Sequence, residues 1–101
     1  MIYGVVCEFS DRVQDGRTLR DIFEHGQGEM SELDIEILKH NTGVRNGPDG
    51  IVGEAIDVIA CMMDLIRKYD PDVTEEQLAE KMREKCVKWE TKTNAGAYTK
   101  G

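Results

Sequence analysis

Proline is scarce in this chain, with two in 101 residues, and aromatic residues make up only 6%. With 40% hydrophobic and 33% charged residues, that profile excludes a fibrous or disordered chain and suits a helix-rich globular domain. A long apolar run is also missing. The longest stretch, residues 51–66, is broken by Glu54, Asp57 and Asp64 and falls short of the roughly 20 residues a bilayer helix needs, so no membrane partner is expected. Basic residues are in the minority: 13 Lys and Arg stand against 20 Asp and Glu, a formal net charge of −7. Duplex-binding proteins carry a basic face, so no nucleic-acid partner is expected. An acidic chain still meets phosphates when a divalent cation lies between them and its carboxylates. Cysteine pairs are absent too. Cys7, Cys61 and Cys86 are far apart, with no CxxC spacing, and read as reduced structural thiols of a cytoplasmic protein. The N-terminal residues lack the basic region and apolar length of a signal peptide, so no targeting segment is expected.

What is present is helical periodicity. The length suits one domain. Residues 1–16 read as loop with at most a helical turn, and Asp15-Gly16 as a turn. The spacing of Ile22, Phe23, Met30, Leu33 and Ile37 predicts a helix from residue 18 to about 40, with Thr18 as N-cap and Asp21 three positions on. Gly26 and Gly28 weaken its middle by about 1 kcal/mol each and predict a kink unless something packs closely there. Residues 41–50 hold Asn41-Thr42-Gly43 and Asn46-Gly47-Pro48-Asp49-Gly50, a dense run of turn formers, and predict a loop. A second helix follows from Ile51 to Tyr69, apolar around most of its circumference, as expected for a helix buried in the centre of a bundle. Asp70-Pro71-Asp72 ends it. Thr74-Glu75-Glu76-Gln77 is a capping box that opens a third helix to about residue 92. Residues 93–101 read as a loosely held tail.

Acids on an apolar helix need a reason. At about 100° per residue, Glu54, Asp57, Cys61 and Asp64 fall within a sector of about 80°, and Glu29, Glu32 and Glu36 within about 60° on the preceding helix. If the two helices pack antiparallel across the loop, Glu29 and Glu32 meet Glu54 and Asp57. A cation is then needed to offset the repulsion, and Mg²⁺ suits carboxylate oxygens. Asp64 is expected at an interface or in solvent, and Glu36 as an outer or solvated acid. His25 and His40 read as surface residues, Cys61 as a small apolar filler and Trp89 as a core or interface anchor. Lys81, Arg83, Lys85 and Lys88 form the solvated face of the third helix.

Gly28-Glu29-Met30-Ser31-Glu32-Leu33 and Gly53-Glu54-Ala55-Ile56-Asp57-Val58, with 21 residues between Glu32 and Glu54, resemble the EExxE and ExxD halves of the MazG-like all-α nucleoside triphosphate pyrophosphohydrolases. The likeness extends to Lys85-Cys86-Val87-Lys88-Trp89-Glu90; Gly28 stands where the family has its first Glu, and Cys86 where it commonly has Asn. The resemblance implies a small antiparallel bundle of three main helices over residues 1–92, completed by assembly as a dimer or tetramer. It implies Mg²⁺, with Mn²⁺ as a substitute, held by a metal and catalytic set of Glu29, Glu32, Glu54 and Asp57, with Lys85 and Lys88 touching phosphate. The activity it implies is hydrolysis of a nucleoside or deoxynucleoside triphosphate to the monophosphate and pyrophosphate. The alternative is a non-catalytic helical binding or assembly module.

Overall fold

A computed structural model describes residues 1–13 and 16–96. These form four α-helices and no strand: α1 (Ile2–Ser10), α2 (Leu19–Asn41), α3 (Gly50–Tyr69) and α4 (Glu75–Asn94). The chain divides into two compact units, Met1–Pro71 and Asp72–Gly101. Among the described residues, no helix is long and apolar enough to cross a membrane.

The first unit is built on the pairing of α2 with α3, with α1 laid against α3. Thr18 begins α2 through a reciprocal capping box: its hydroxyl accepts from the Asp21 amide at 3.1 Å, and the Asp21 carboxylate accepts from the Thr18 amide at 2.9 Å. Two of the amides that the helix start leaves without partners are thereby satisfied. The helix then runs unbroken past both glycines. At Gly26 the reason is close packing. A Cβ there would lie 2.6 Å from Met62 Cε and 3.5 Å from Cys61 Cβ, so α3 lies close against this turn and the end of Met62 packs over the bare backbone. At Gly28 a Cβ would meet open space, and the helix tolerates the glycine.

Three expectations need correction. Residues 2–10 form a full helix rather than a loop. Its Met1 N-cap makes no side-chain bond, so the usual start signal is absent. Its buried side also differs from its most apolar one. Tyr3 is buried, with Val6, Cys7 and Ser10 half-buried along the same side, while Ile2, Val5 and Phe9 are exposed. The helix is held to α3 by polar contacts, Ser10 Oγ donating to Asp64 Oδ1 at 2.7 Å and Arg67 donating to Asp11. Among the described residues the main helices therefore number four.

The third correction concerns α3, which is not enclosed. Only Cys61 is buried on it, and Val52, Ile56, Ile59 and Ile66 are exposed. At 100° per residue those four share a sector of about 80° on the side opposite the acidic ridge, a side that neither α1 nor α2 covers. The centre of the unit is instead Ile22 on α2, 1% exposed, beside the buried Cys61 and Gly26.

The second unit is a single helix by itself. Thr74 and Gln77 form the expected capping box, at 3.1 and 2.9 Å. The helix runs two residues past the expected end, taking in Thr93 and Asn94, and none of its residues is buried. Most of the expected tail, residues 97–101, lies outside the described residues, as does Asp15 of the expected Asp15-Gly16 turn.

Candidate metal centre

The descending pairing of α2 with α3, Gly26 against Cys61 and Met62 at one end and Glu36 against Gly47 at the other, makes the two helices antiparallel. Between those points the two acidic ridges face each other. Glu29 from α2 and Glu54 and Asp57 from α3 each offer a carboxylate oxygen, and the three oxygens lie within 4.8 Å of one another. All three residues are half-buried. Glu32, exposed, adds its charge to Glu54 from the neighbouring turn of α2.

Glu54 carries the largest electrostatic load. Its Oε2 is buried with no hydrogen-bond partner. Burial, then the charges of Glu32, Asp57 and Asp49, push its carboxyl above the ordinary carboxylate range. An ionised, partly desolvated carboxylate among like charges is unfavourable unless a proton or a cation joins it. Twice the Mg–O distance, the span between opposed ligands, is about 4.2 Å, so small side-chain rotations bring oxygens from a 4.8 Å cluster into one coordination sphere. The donor set is all oxygen, which suits a hard divalent ion rather than a thiophilic one.

Several neighbours close the ridge. His25 Nε2 lies 3.1 Å from Glu29 Oε1 and orients that carboxylate from the exposed side. Cys61, one turn beyond Asp57, is a buried thiol held in its protonated form, since burial and then the charges of Glu29, Asp64 and Asp57 raise its pKa against the opposing pull of Arg17. Asp64 belongs to the interface between α1 and α3. Its two oxygens are engaged by Ser10 and by Arg17, the latter at 3.0 Å, so it is tied away from the triad.

Glu36 departs from the expectation of an outer or solvated acid. It is 7% exposed and binds the loop, accepting from Asn46 Nδ2 and from the Gly47 amide. The hydrogen bond from Asn46, opposed by burial and supported by Gly47 and Lys39, holds its carboxyl below the usual range. The available sequence signal was the Asn-Gly pair ten residues downstream, the kind of turn that offers an amide side chain and a bare backbone N–H together.

Lys85 and Lys88 lie on α4 in the second unit, exposed. Their charges act on Glu84, whose carboxyl is held below the usual range first by its hydrogen bond to Lys81, 3.0 Å away. Comparison with family models, with curated proteins and with solved structures gives no match for the chain.

The two shifted glutamates give opposite pH signatures. Glu54, with its pKa raised on folding, contributes stability that is full below the ordinary carboxylate range and is lost as pH rises through its elevated value. Glu36, with its pKa lowered, contributes stability that is present above the ordinary range and is lost as pH falls through its depressed value. Thermal melts in EDTA across pH 3–8 should show both flanks. Glu54→Gln should remove the decline on the alkaline side and Glu36→Gln the one on the acid side; a flank that survives its own variant contradicts the assignment.

Proposed function

We propose that this chain is a Mg²⁺-dependent nucleotide pyrophosphohydrolase of the MazG-like kind, acting on nucleoside or deoxynucleoside triphosphates. The observation that carries the reading is the convergence of Glu29, Glu54 and Asp57 from two helices to within 4.8 Å, with one Glu54 oxygen buried and without a partner. Glu29, Glu32, Glu54 and Asp57 would hold the ion, with Mn²⁺ as a substitute. A bound Mg²⁺ supplies charge neutralisation at phosphate and a lowered pKa for water. The chain's own contribution is a carboxylate beside the site that orients the attacking water and takes up its proton. In the reaction, water oxygen bonds to the α- or the β-phosphorus and the bond from that phosphorus to the oxygen bridging the two breaks, giving the monophosphate and pyrophosphate.

Self-assembly belongs to the same proposal. Val52, Ile56, Ile59 and Ile66 leave an apolar stripe on α3, with Val52 as much as 76% exposed. A second copy laid on that stripe removes it from water and leaves the acidic ridge facing α2, in keeping with a dimer or tetramer.

The test uses purified protein, Mg²⁺ and a panel of ribo- and deoxynucleoside triphosphates. Pyrophosphate and monophosphate should appear in equal amounts, and both should vanish with EDTA and in Glu54→Ala. One observation favours the second reading, a non-catalytic binding or assembly module. Gly28 occupies the place of the family's first Glu although its Cβ direction is open, so nothing in the packing demands a glycine there. That reading predicts cation uptake without product.

A further inference from the structure

The acidic centre is flanked by two points at which α2 and α3 are pinned together. One is apolar, Gly26 against Cys61 and Met62. The other is polar and lies in the loop that joins the helices. Glu36 sits one turn beyond Glu32 on α2, and its carboxylate is turned into that loop. Oε2 accepts from Asn46 Nδ2 at 2.6 Å and from the Gly47 amide at 3.1 Å. Oε1 is 3.3 Å from the same amide and 3.5 Å from Lys39 Nζ. Asn46 Nδ2 also reaches the Glu36 carbonyl at 2.9 Å, so one amide group clasps both the side chain and the backbone of residue 36. A Cβ at position 47 would lie 2.9 Å from Glu36 Oε1, so a side chain there would push that carboxylate oxygen from its place. Bonds to an ionised acceptor in a mostly buried place are the stronger kind.

The clasp lies immediately ahead of the residues that carry the α3 acids. Asp49, two residues after Gly47, is the N-cap of α3, and its charge reaches Glu54. Asp49 makes no side-chain cap bond, so the loop held by Glu36 has the larger part in fixing where that helix begins. Like charges on Glu29, Glu32, Glu54 and Asp57 push the two helices apart along the stretch between the pins. Without the polar pin, the N-terminal end of α3 is held less firmly against that repulsion, and its acids can draw away from those of α2.

We infer that Glu36 is a positioning residue for the acidic centre: it touches neither cation nor substrate, and by locking Asn46 and Gly47 it keeps Glu54 and Asp57 opposite Glu29. The inference rests on reading that centre as a cation site.

The test compares the wild type with Glu36→Gln, Asn46→Asp and the double variant. Mn²⁺ affinity is read from the loss of the free-ion paramagnetic resonance signal, at a temperature where circular dichroism shows every protein fully folded. Glu36→Gln replaces an ionised acceptor with a weaker neutral one, and Asn46→Asp sets an acid against an acid; Mn²⁺ binding should weaken in both, by about 10–100-fold in Asn46→Asp, the range typical for groups that support metal ligands. In the double variant, the amide at position 36 donates to a carboxylate at position 46, which removes the clash of acid with acid but not the loss of the donor to the residue 36 carbonyl, so part of the affinity lost in Asn46→Asp should return. A merely structural role would shift melting temperatures while folded molecules bound Mn²⁺ equally well, and that result overturns the inference. Should a single variant fail to fold, Asn46→Ala removes the loop donor without adding charge and should show the same weakening. A wild type that takes up no Mn²⁺ overturns the cation reading and the positioning role together. A wild type that binds, with all variants binding alike, overturns the positioning role alone.

Discussion

Ile22→Ala should unfold most of the first unit at temperatures where the wild type is intact. Ile22 is the one large side chain among the described residues that is almost wholly removed from water, at 1% exposure, and it sits where α2 meets α3. Truncating a buried Ile to Ala costs about 2–5 kcal/mol, from lost transfer energy and the cavity left behind. A unit of this size has a total stability on the order of 4–10 kcal/mol, so one truncation removes much of it. Each kcal/mol corresponds to about 4–8 °C in melting temperature for a domain of this size. Ile22→Val should cost only about 0.5–1.5 kcal/mol, which separates a packing effect from a general intolerance of substitution. Calorimetric or circular-dichroism melts check both. An Ile22→Ala protein melting within a few degrees of wild type contradicts the assignment of this residue as the core.

Replacing Glu54 by Gln and Asp57 by Asn together should invert the response of stability to metal. In EDTA near neutral pH, the wild type holds converging carboxylates with one oxygen buried and unpartnered, and neutralising two of them relieves the repulsion. The double variant should therefore melt higher than wild type without metal. With Mg²⁺ at about 100 times its dissociation constant, a ligand that binds only the folded state adds about 2.7 kcal/mol, or roughly 10–20 °C for a unit of this size. That gain should appear in the wild type and be absent from the variant, so the two melting curves change order when the metal is added. A structural bundle whose acids are merely solvated predicts the same order in both conditions.

The parts of the fold legible in the sequence are those set by neighbours in the chain. The capping boxes at Thr18 and Thr74 and the turn formers of the loop each act within a few residues, and α2, α3 and α4 begin within one residue of the expected positions. The meeting of Glu29 with Glu54 and Asp57 was legible for a related reason: a short loop between two long helices makes them antiparallel, and helical geometry then sets which turns face each other. What was not legible depended on contacts across the chain. Helix α1 has no side-chain cap and buries Tyr3 rather than its more aliphatic side, so its own pattern points away from the packing that stabilises it. Glu36 looks like one more acid on a ridge, and only Asn46 and Gly47 folding back onto it turn a solvated residue into a buried acceptor. The apolar girth of α3 suggested a central helix, yet part of that girth is left exposed.

The most direct measurement is a Mn²⁺ titration of the wild type and of the double variant, Glu54→Gln with Asp57→Asn, followed by paramagnetic resonance at neutral pH. Convergence of Glu29, Glu54 and Asp57 on one hard cation predicts saturable uptake by the wild type, displacement of the bound Mn²⁺ by excess Mg²⁺, and no uptake by the variant. A free-ion signal that follows total Mn²⁺ in the wild type, or equal uptake by the variant, would contradict it.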